Sequence, residues 1–186
     1  MDNKKLIKVS KYLSRHLRHE PESIGIVLDS AGWCDVSDLL SACAANNMTI
    51  TRAELDAVVA ENDKQRFAFS PDGKRIRASQ GHSIDVDLEL SPVSPPDVLY
   101  HGTGAGSVAP IREKGLRKMN RHHVHLTDNT ETAVKVGARH GKPVVFTVDA
   151  QAMRRTGHVF YRSENGVYLV DDVPPQYLSL AGEEED

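Results

Sequence analysis

The sequence predicts an α+β fold in two lobes, a winged-helix-like N-terminal lobe and a mostly β C-terminal lobe. Three observations predict it. The first half sets two short capped helices ahead of a hairpin, the order of a winged helix. Residues 91–97 (SPVSPPD) are dense in proline, the composition of a boundary. The second half alternates short apolar runs with glycine-marked turns and few, short helices, which does not suit a doubly wound parallel sheet. The expected organisation is a first lobe over 1–90, a linker over 91–97, a second lobe over 98–180 and an acidic tail over 181–186.

Lys4 to His19 reads as a helix. Leu6, Val9, Leu13 and Leu17 fall on one side when residues are turned by about 100° each. Lys4, Lys8, Lys11, Arg15, Arg18 and His19 fall on the other, with no acid among them. Such a stripe is either a solvated face or an anion-binding one. It lacks the aromatic anchor of a membrane-surface helix. Pro21 stops the helix by pushing its predecessor out of helical geometry. After the apolar run Ile24 to Leu28 and a turn at Ser30-Ala31-Gly32, Asp35 caps a helix through Cys43. Thr51-Arg52-Ala53-Glu54 is a capping box that opens a helix to about Asn62. Arg66–Phe69, the turn Ser70-Pro71-Asp72-Gly73 and Lys74–Ala78 make a hairpin, with Lys74, Arg75 and Arg77 on its second strand.

Beyond the boundary, Val98–His101 reads as a strand and Gly102–Ser107 as a loop. Val108–Lys114 reads as a short helix ended by Gly115. His123–Leu126 is a strand, and Thr127 or Asp128 caps a helix through His140. Val144–Val148 is a strand. His158–Arg162 and Val167–Val170 flank Glu164-Asn165-Gly166, a hairpin signal.

The chain has 186 residues and a formal charge of −3, so any nucleic-acid contact must come from a local patch. No apolar run has membrane-spanning length, and MDNKKLIKVS lacks the apolar core of a signal peptide, so a cytoplasmic location is expected. Cys34 and Cys43 have no metal-type spacing. What stands out is isolated Arg and His in otherwise apolar or glycine-rich segments: Arg18-His19, Arg66, Ile76 to Ser83, His101, Arg121 and His125. A pocket lined by guanidinium and imidazole without carboxylates suits phosphate. No metal site is legible, because His122 and His123 point to opposite faces of a strand and no carboxylate or cysteine completes a set. Two-metal phosphoryl chemistry needs convergent carboxylates, so arginines must neutralise the charge. There is no G-x-S-x-G elbow, which fits a reaction in which the substrate's own phosphate or hydroxyl attacks. The alternating Gly102, Gly104 and Gly106 match neither a Rossmann nor a Walker loop, but their N–H groups could approach an anion.

The segments Ser10 to His19 (SKYLSRHLRH), Gly32-Trp33, Asp63 to Phe67 (DKQRF), Ile76 to Ser83 (IRASQGHS), Leu99 to Thr103 (LYHGT), Ile111 to Leu116 (IREKGL), Arg121 to Thr127 (RHHVHLT) and Val136 to Gly141 (VGARHG) occur together in this order. In them the chain resembles the RNA 2′-phosphotransferase family of the bacterial KptA type, over roughly residues 6–178. The resemblance implies a winged-helix-like RNA lobe followed by an ADP-ribosyltransferase-like NAD lobe. It implies a catalytic set of Arg18, His19, Arg66 and Arg121. For NAD it implies His101, Gly102, Thr103 and His125, with Arg139 and His140 in the helix that follows. Lys11, Arg15 and Arg77 are candidate RNA contacts, and Gln80 and His82 are either RNA-phosphate contacts or a structural join.

The resemblance also implies a two-step reaction with NAD as co-substrate and no metal. The RNA 2′-phosphate attacks C1″ of the nicotinamide ribose, nicotinamide leaves, and an ADP-ribosylated RNA forms. The ribose 2″-OH then attacks that phosphodiester, releasing 2′-OH RNA and ADP-ribose 1″,2″-cyclic phosphate. Positioning of a dianion dominates the first step. Arginines can stabilise the charge spread over phosphoryl oxygens in the second, where Arg121 is expected to matter most. His19, with an ordinary pKa of about 6.5, suits proton handling or donation to phosphate. The substrate class includes spliced tRNA, and a monomer with no membrane attachment is expected. Two other readings stay open: an ADP-ribosyltransferase on nucleic-acid phosphates that omits the second step, and a winged-helix nucleic-acid-binding regulator.

Overall fold

A computed structural model describes residues 2–62 and 65–182. Residues 183–186 of the expected acidic tail, and Asp63 and Lys64 of the DKQRF segment, lie outside the described residues. The chain divides into two units, Met1–Glu89 and Leu90–Asp186, each with its own core.

In the first unit, α1 (Asn3–Arg18) starts where the Asp2 carboxylate accepts from the Lys4 N–H. Its apolar side buries Val9, Leu13 and Leu17. Pro21 opens a 3-10 turn, Pro21–Ile24, in place of a further helical turn. A two-residue strand that the sequence did not announce, β1 (Cys34–Asp35), precedes α2 (Val36–Ala45). Asp35 caps α2 by accepting from the N–H groups of Ser37 and Asp38. The capping box forms at Thr51 and Glu54 and opens α3 (Arg52–Ala60). The hairpin pairs β2 (Phe67–Phe69) with β3 (Arg75–Ala78), and β1 lies on the other edge of β3, all antiparallel. Helices and sheet close on Leu13, Leu17, Leu39, Leu55, Phe67 and Ile76. The cationic side of α1 is not free of acid, because Arg15 ion-pairs with Glu20 just past the helix end.

In the second unit, β4 (Pro92–Val93) lies inside the stretch expected to be a linker and pairs with β9 (Phe160–Arg162). The sheet order β4-β9-β10-β7 adds β10 (Tyr168–Val170) and β7 (Val124–Leu126). A second sheet has the order β12-β8-β5, from β5 (Val98–Gly104), β8 (Pro143–Asp149) and β12 (Leu178–Leu180). A small pair joins β6 (Leu116–Arg117) to β11 (Asp172–Val173). Three helices accompany them: α4 (Val108–Lys114), α5 (Thr130–Gly137) and α6 (Ala150–Arg155). The sequence reading contained neither α6 nor β12. The cap of α5 is Asn129, which accepts from the Thr132 N–H, rather than Thr127 or Asp128. Thr127 instead accepts from the Asn129 N–H, one step outside the helix. Among the described residues, no helix is long and apolar enough to cross a membrane.

The glycine segment departs most from expectation. It is strand through Gly104, followed by a 3-10 turn over Ala105–Ser107. A Cβ on Gly102 would sit 1.7 Å from the Ala133 carbonyl oxygen, and one on Gly104 would sit 2.2 Å from that of His140. From the other side, a Cβ on Gly137 would come within 2.7 Å of the Thr103 oxygen. Strand β5 and helix α5 therefore meet backbone to backbone. The glycines make room for a helix, and Gly102 and Gly104 are paired against Val145 and Pro143 of β8.

Candidate active site

The first unit organises three of the expected residues around the segment that follows β3. At one end, the Ser79 N–H donates to the Arg66 carbonyl over 2.8 Å, and the Ser79 hydroxyl to the Gln65 carbonyl over 3.0 Å. At the other, the Ser83 N–H donates to the Arg18 carbonyl over 2.9 Å, and Ser83 Oγ lies 2.8 Å from His19 Nδ1. Residues 79–83 thus tie the end of α1, with Arg18 and His19, to the start of β2, with Arg66. His19 is exposed, and Arg18 and Arg66 are half-buried. Ser83 was legible only as the last letter of IRASQGHS, and no spacing rule marked its hydroxyl.

Arg77, a candidate RNA contact, is 8% exposed. Its guanidinium stacks 4.5 Å over the Trp33 ring and donates to the Ala31 carbonyl over 3.4 Å. Strand alternation turns it away from Ile76, and the Trp33 loop covers that second face. Arg75 lies 5.4 Å over the same ring and ion-pairs with Asp29. His82 is buried with its Nε2 against Gly32. Gln80 is half-buried, and its Oε1 has no hydrogen-bond partner among the described residues. Arg77 and His82 therefore brace the segment from inside. Lys11 and Arg15 are exposed, Arg15 in its pair with Glu20.

The second unit fixes two imidazoles with opposite proton positions. His101, on β5, sets Nδ1 3.1 Å from the His125 carbonyl oxygen. That oxygen only accepts, so Nδ1 donates and the neutral ring keeps Nε2 as an acceptor. Burial pushes the His101 pKa below its ordinary value. The His125 carbonyl opposes this, and the charges of Arg121 and His140 add to it. Arg121 Nη1 lies 3.2 Å from His125 Nδ1, and since guanidinium only donates, that nitrogen accepts. His101, Arg121, His125 and His140 thus share one neighbourhood. Thr103 is buried on β5, Gly102 is covered by α5, and Arg139 lies exposed in the turn Ala138–His140. Gly102 and Gly104 lie in a strand rather than a loop, and because Tyr100 exchanges its backbone hydrogen bonds with Thr127 while the Ala105 N–H donates to Lys142, their own N–H groups face away from β8. His123 packs its ring 5.6 Å from that of Tyr161, and burial lowers its pKa too.

The two cysteines offer no competing nucleophile. Burial pushes the Cys34 thiol up to about 12 and the Cys43 thiol up to about 11, so both stay protonated. Arg18, His19 and Arg66 in one unit, and Arg121 with two imidazoles in the other, offer donors and fixed positive charge suited to phosphate and ribose oxygens.

Residues 4–172 match the model of the RNA 2′-phosphotransferase, Tpt1 / KptA family. A protein of Nostoc punctiforme named probable RNA 2′-phosphotransferase is 59% identical over 178 residues, 96% of this chain and 98% of its own length. One of the same name from Streptomyces griseus is 56% identical over 189 residues, 98% of this chain and 100% of its own. Another, from Burkholderia pseudomallei, is 53% identical over 175 residues, 94% of this chain and 95% of its own.

Proposed function

Because the chain belongs to the RNA 2′-phosphotransferase, Tpt1 / KptA family, we propose that it transfers an internal RNA 2′-phosphate to NAD⁺. The products are nicotinamide, 2′-OH RNA and ADP-ribose 1″,2″-cyclic phosphate. The observation that carries this reading is the grouping of Arg18, His19 and Arg66 at the two ends of residues 79–83. Two guanidiniums and an imidazole on one short frame suit a dianion that must be held in line for attack. Arg18 and Arg66 hold the phosphate. His19, with Nδ1 facing Ser83, presents Nε2 for a proton or a phosphate oxygen. The first unit, a helix set followed by a three-stranded antiparallel sheet, supports a winged-helix-like RNA lobe.

The second unit suits the dinucleotide. His101 Nε2 is a fixed acceptor on a ring that burial keeps neutral, which matches a ribose hydroxyl. His125 and Thr103 lie beside it on β7 and β5, in an ADP-ribosyltransferase-like lobe. NAD⁺ supplies an electrophilic ribose carbon and a nicotinamide leaving group. Arg121, oriented against His125, stabilises charge on the phosphoryl oxygens during release of the RNA.

The test is a short RNA with one internal 2′-phosphate, incubated with adenylate-labelled NAD⁺ and EDTA. The expected products are 2′-OH RNA and labelled cyclic phosphate. An accumulated RNA–ADP-ribose adduct points to a transferase without the second step. Binding of nucleic acid with no NAD-dependent change sinks the enzymatic reading. Arg18→Ala, Arg66→Ala and Arg121→Ala each lower turnover by at least about 10²-fold, the loss typical of one charge-stabilising donor.

A further inference from the structure

Asn62 lies outside every segment that carries the family resemblance, yet it grips Arg66. It follows α3 and is 5% exposed. Its Nδ2 donates to Ser10 Oγ over 2.9 Å, and its Oδ1 accepts from Arg66 Nη1 over 3.0 Å. The orientation of the carboxamide is fixed by chemistry, since a guanidinium only donates and must face the oxygen. Ser10 is itself buried on α1 next to Val9, where an unbonded hydroxyl is costly. Hydroxyl, carboxamide and guanidinium form a relay from the core to a half-buried arginine.

We infer that Asn62 is a positioning residue that aims the Arg66 guanidinium at the phosphate of the RNA and, being neutral, adds no counter-charge of its own. The inference rests on the reading of Arg66 as a phosphate ligand. An amide oxygen orients the guanidinium without cancelling its charge. A carboxylate of the same shape would accept from the same nitrogen and from the Ser10 hydroxyl, so the packing survives. It would also form an ion pair with Arg66 and set a fixed negative charge behind the phosphate site. Neutrality at this position separates a bracket from a competitor.

The experiment compares binding of a short RNA with one internal 2′-phosphate and of its 2′-OH twin, in wild type, N62D and R66A, with melting of each protein recorded. The wild type prefers the phosphorylated RNA. R66A and N62D each lose at least about tenfold of that preference, the scale of one hydrogen bond to a charged group. N62D melts like wild type and binds NAD⁺ unchanged. Preference kept in N62D but lost in R66A overturns the inference alone. No preference in the wild type, or none lost in R66A, overturns the reading of Arg66 and the inference with it. Should N62D fail to fold, a cycle of N62A and R66A on kcat/KM decides. N62A lowers kcat/KM about tenfold in the wild-type background and less than about twofold with R66A, as expected of coupled neighbours. Equal losses in both backgrounds overturn the inference.

Discussion

His101 shows how one hydrogen bond sets both a chemical role and a pH response. Its Nδ1 is committed to the His125 carbonyl, and burial disfavours the charged ring. The folded pKa therefore lies below the unfolded value of about 6.5. Between the two values the unfolded chain binds more protons, so stability rises with pH there. The contribution is complete above the unfolded pKa and is lost as pH falls through the folded one. His123, also lowered, has the same sign. Thermal melts from pH 7.5 down to 5 are expected to fall more steeply for wild type than for His101→Gln, which has no ring to protonate. Parallel curves would mean that His101 is not held neutral by the fold. The sequence placed His101 and His125 as candidates, but their proton positions were illegible because one depends on a backbone oxygen from another strand and the other on the side chain of Arg121. The cover over Arg77 was illegible for a related reason. Alternation with Ile76 correctly turned Arg77 away from the core, and nothing local showed that Trp33 covers the second face.

Between elements, the decisive contact is β5 against α5. Gly102→Ala sets a Cβ 1.7 Å from the Ala133 oxygen, so the helix must lift or the strand must bend. Overpacking of this kind costs about 1–3 kcal/mol, which for a unit of this size lowers Tm on the order of 10 °C. Gly106→Ala is the control, because a Cβ there meets nothing within 4 Å. Equal melting of the two variants would show that backbone contact does not hold the helix on the strand. Local chemistry made much of the fold legible. The capping box at Thr51, the Asp35 cap and both hairpins follow from short patterns whose partners lie within a few residues. The alternating glycines looked like a loop because the reason for them lies about thirty residues on, in α5. Helix α6 and strand β12 are too short to show a period.

Over the whole chain, the two cores have no residue in common: one is built around Leu13, Leu55 and Ile76, the other around Leu99, Val148 and Phe160. Each unit has close to the length at which a single core sustains a small domain. The proposed machinery divides the same way, with Arg18, His19, Arg66 and its bracket Asn62 before Glu89, and His101, Arg121 and His125 after it. A fragment of residues 1–89 is therefore expected to melt cooperatively and to keep the preference for 2′-phosphorylated over 2′-OH RNA, without turnover. With a net charge of −3 on the full chain, that binding comes from a few cations. Its logarithm should fall against log salt with a slope of only about −2, as for roughly three neutralised phosphate charges on a single strand. A steep slope without phosphate preference would mean diffuse electrostatics rather than a site. A fragment that binds neither RNA nor melts cooperatively would show that the first unit needs the second to become a phosphate-reading lobe.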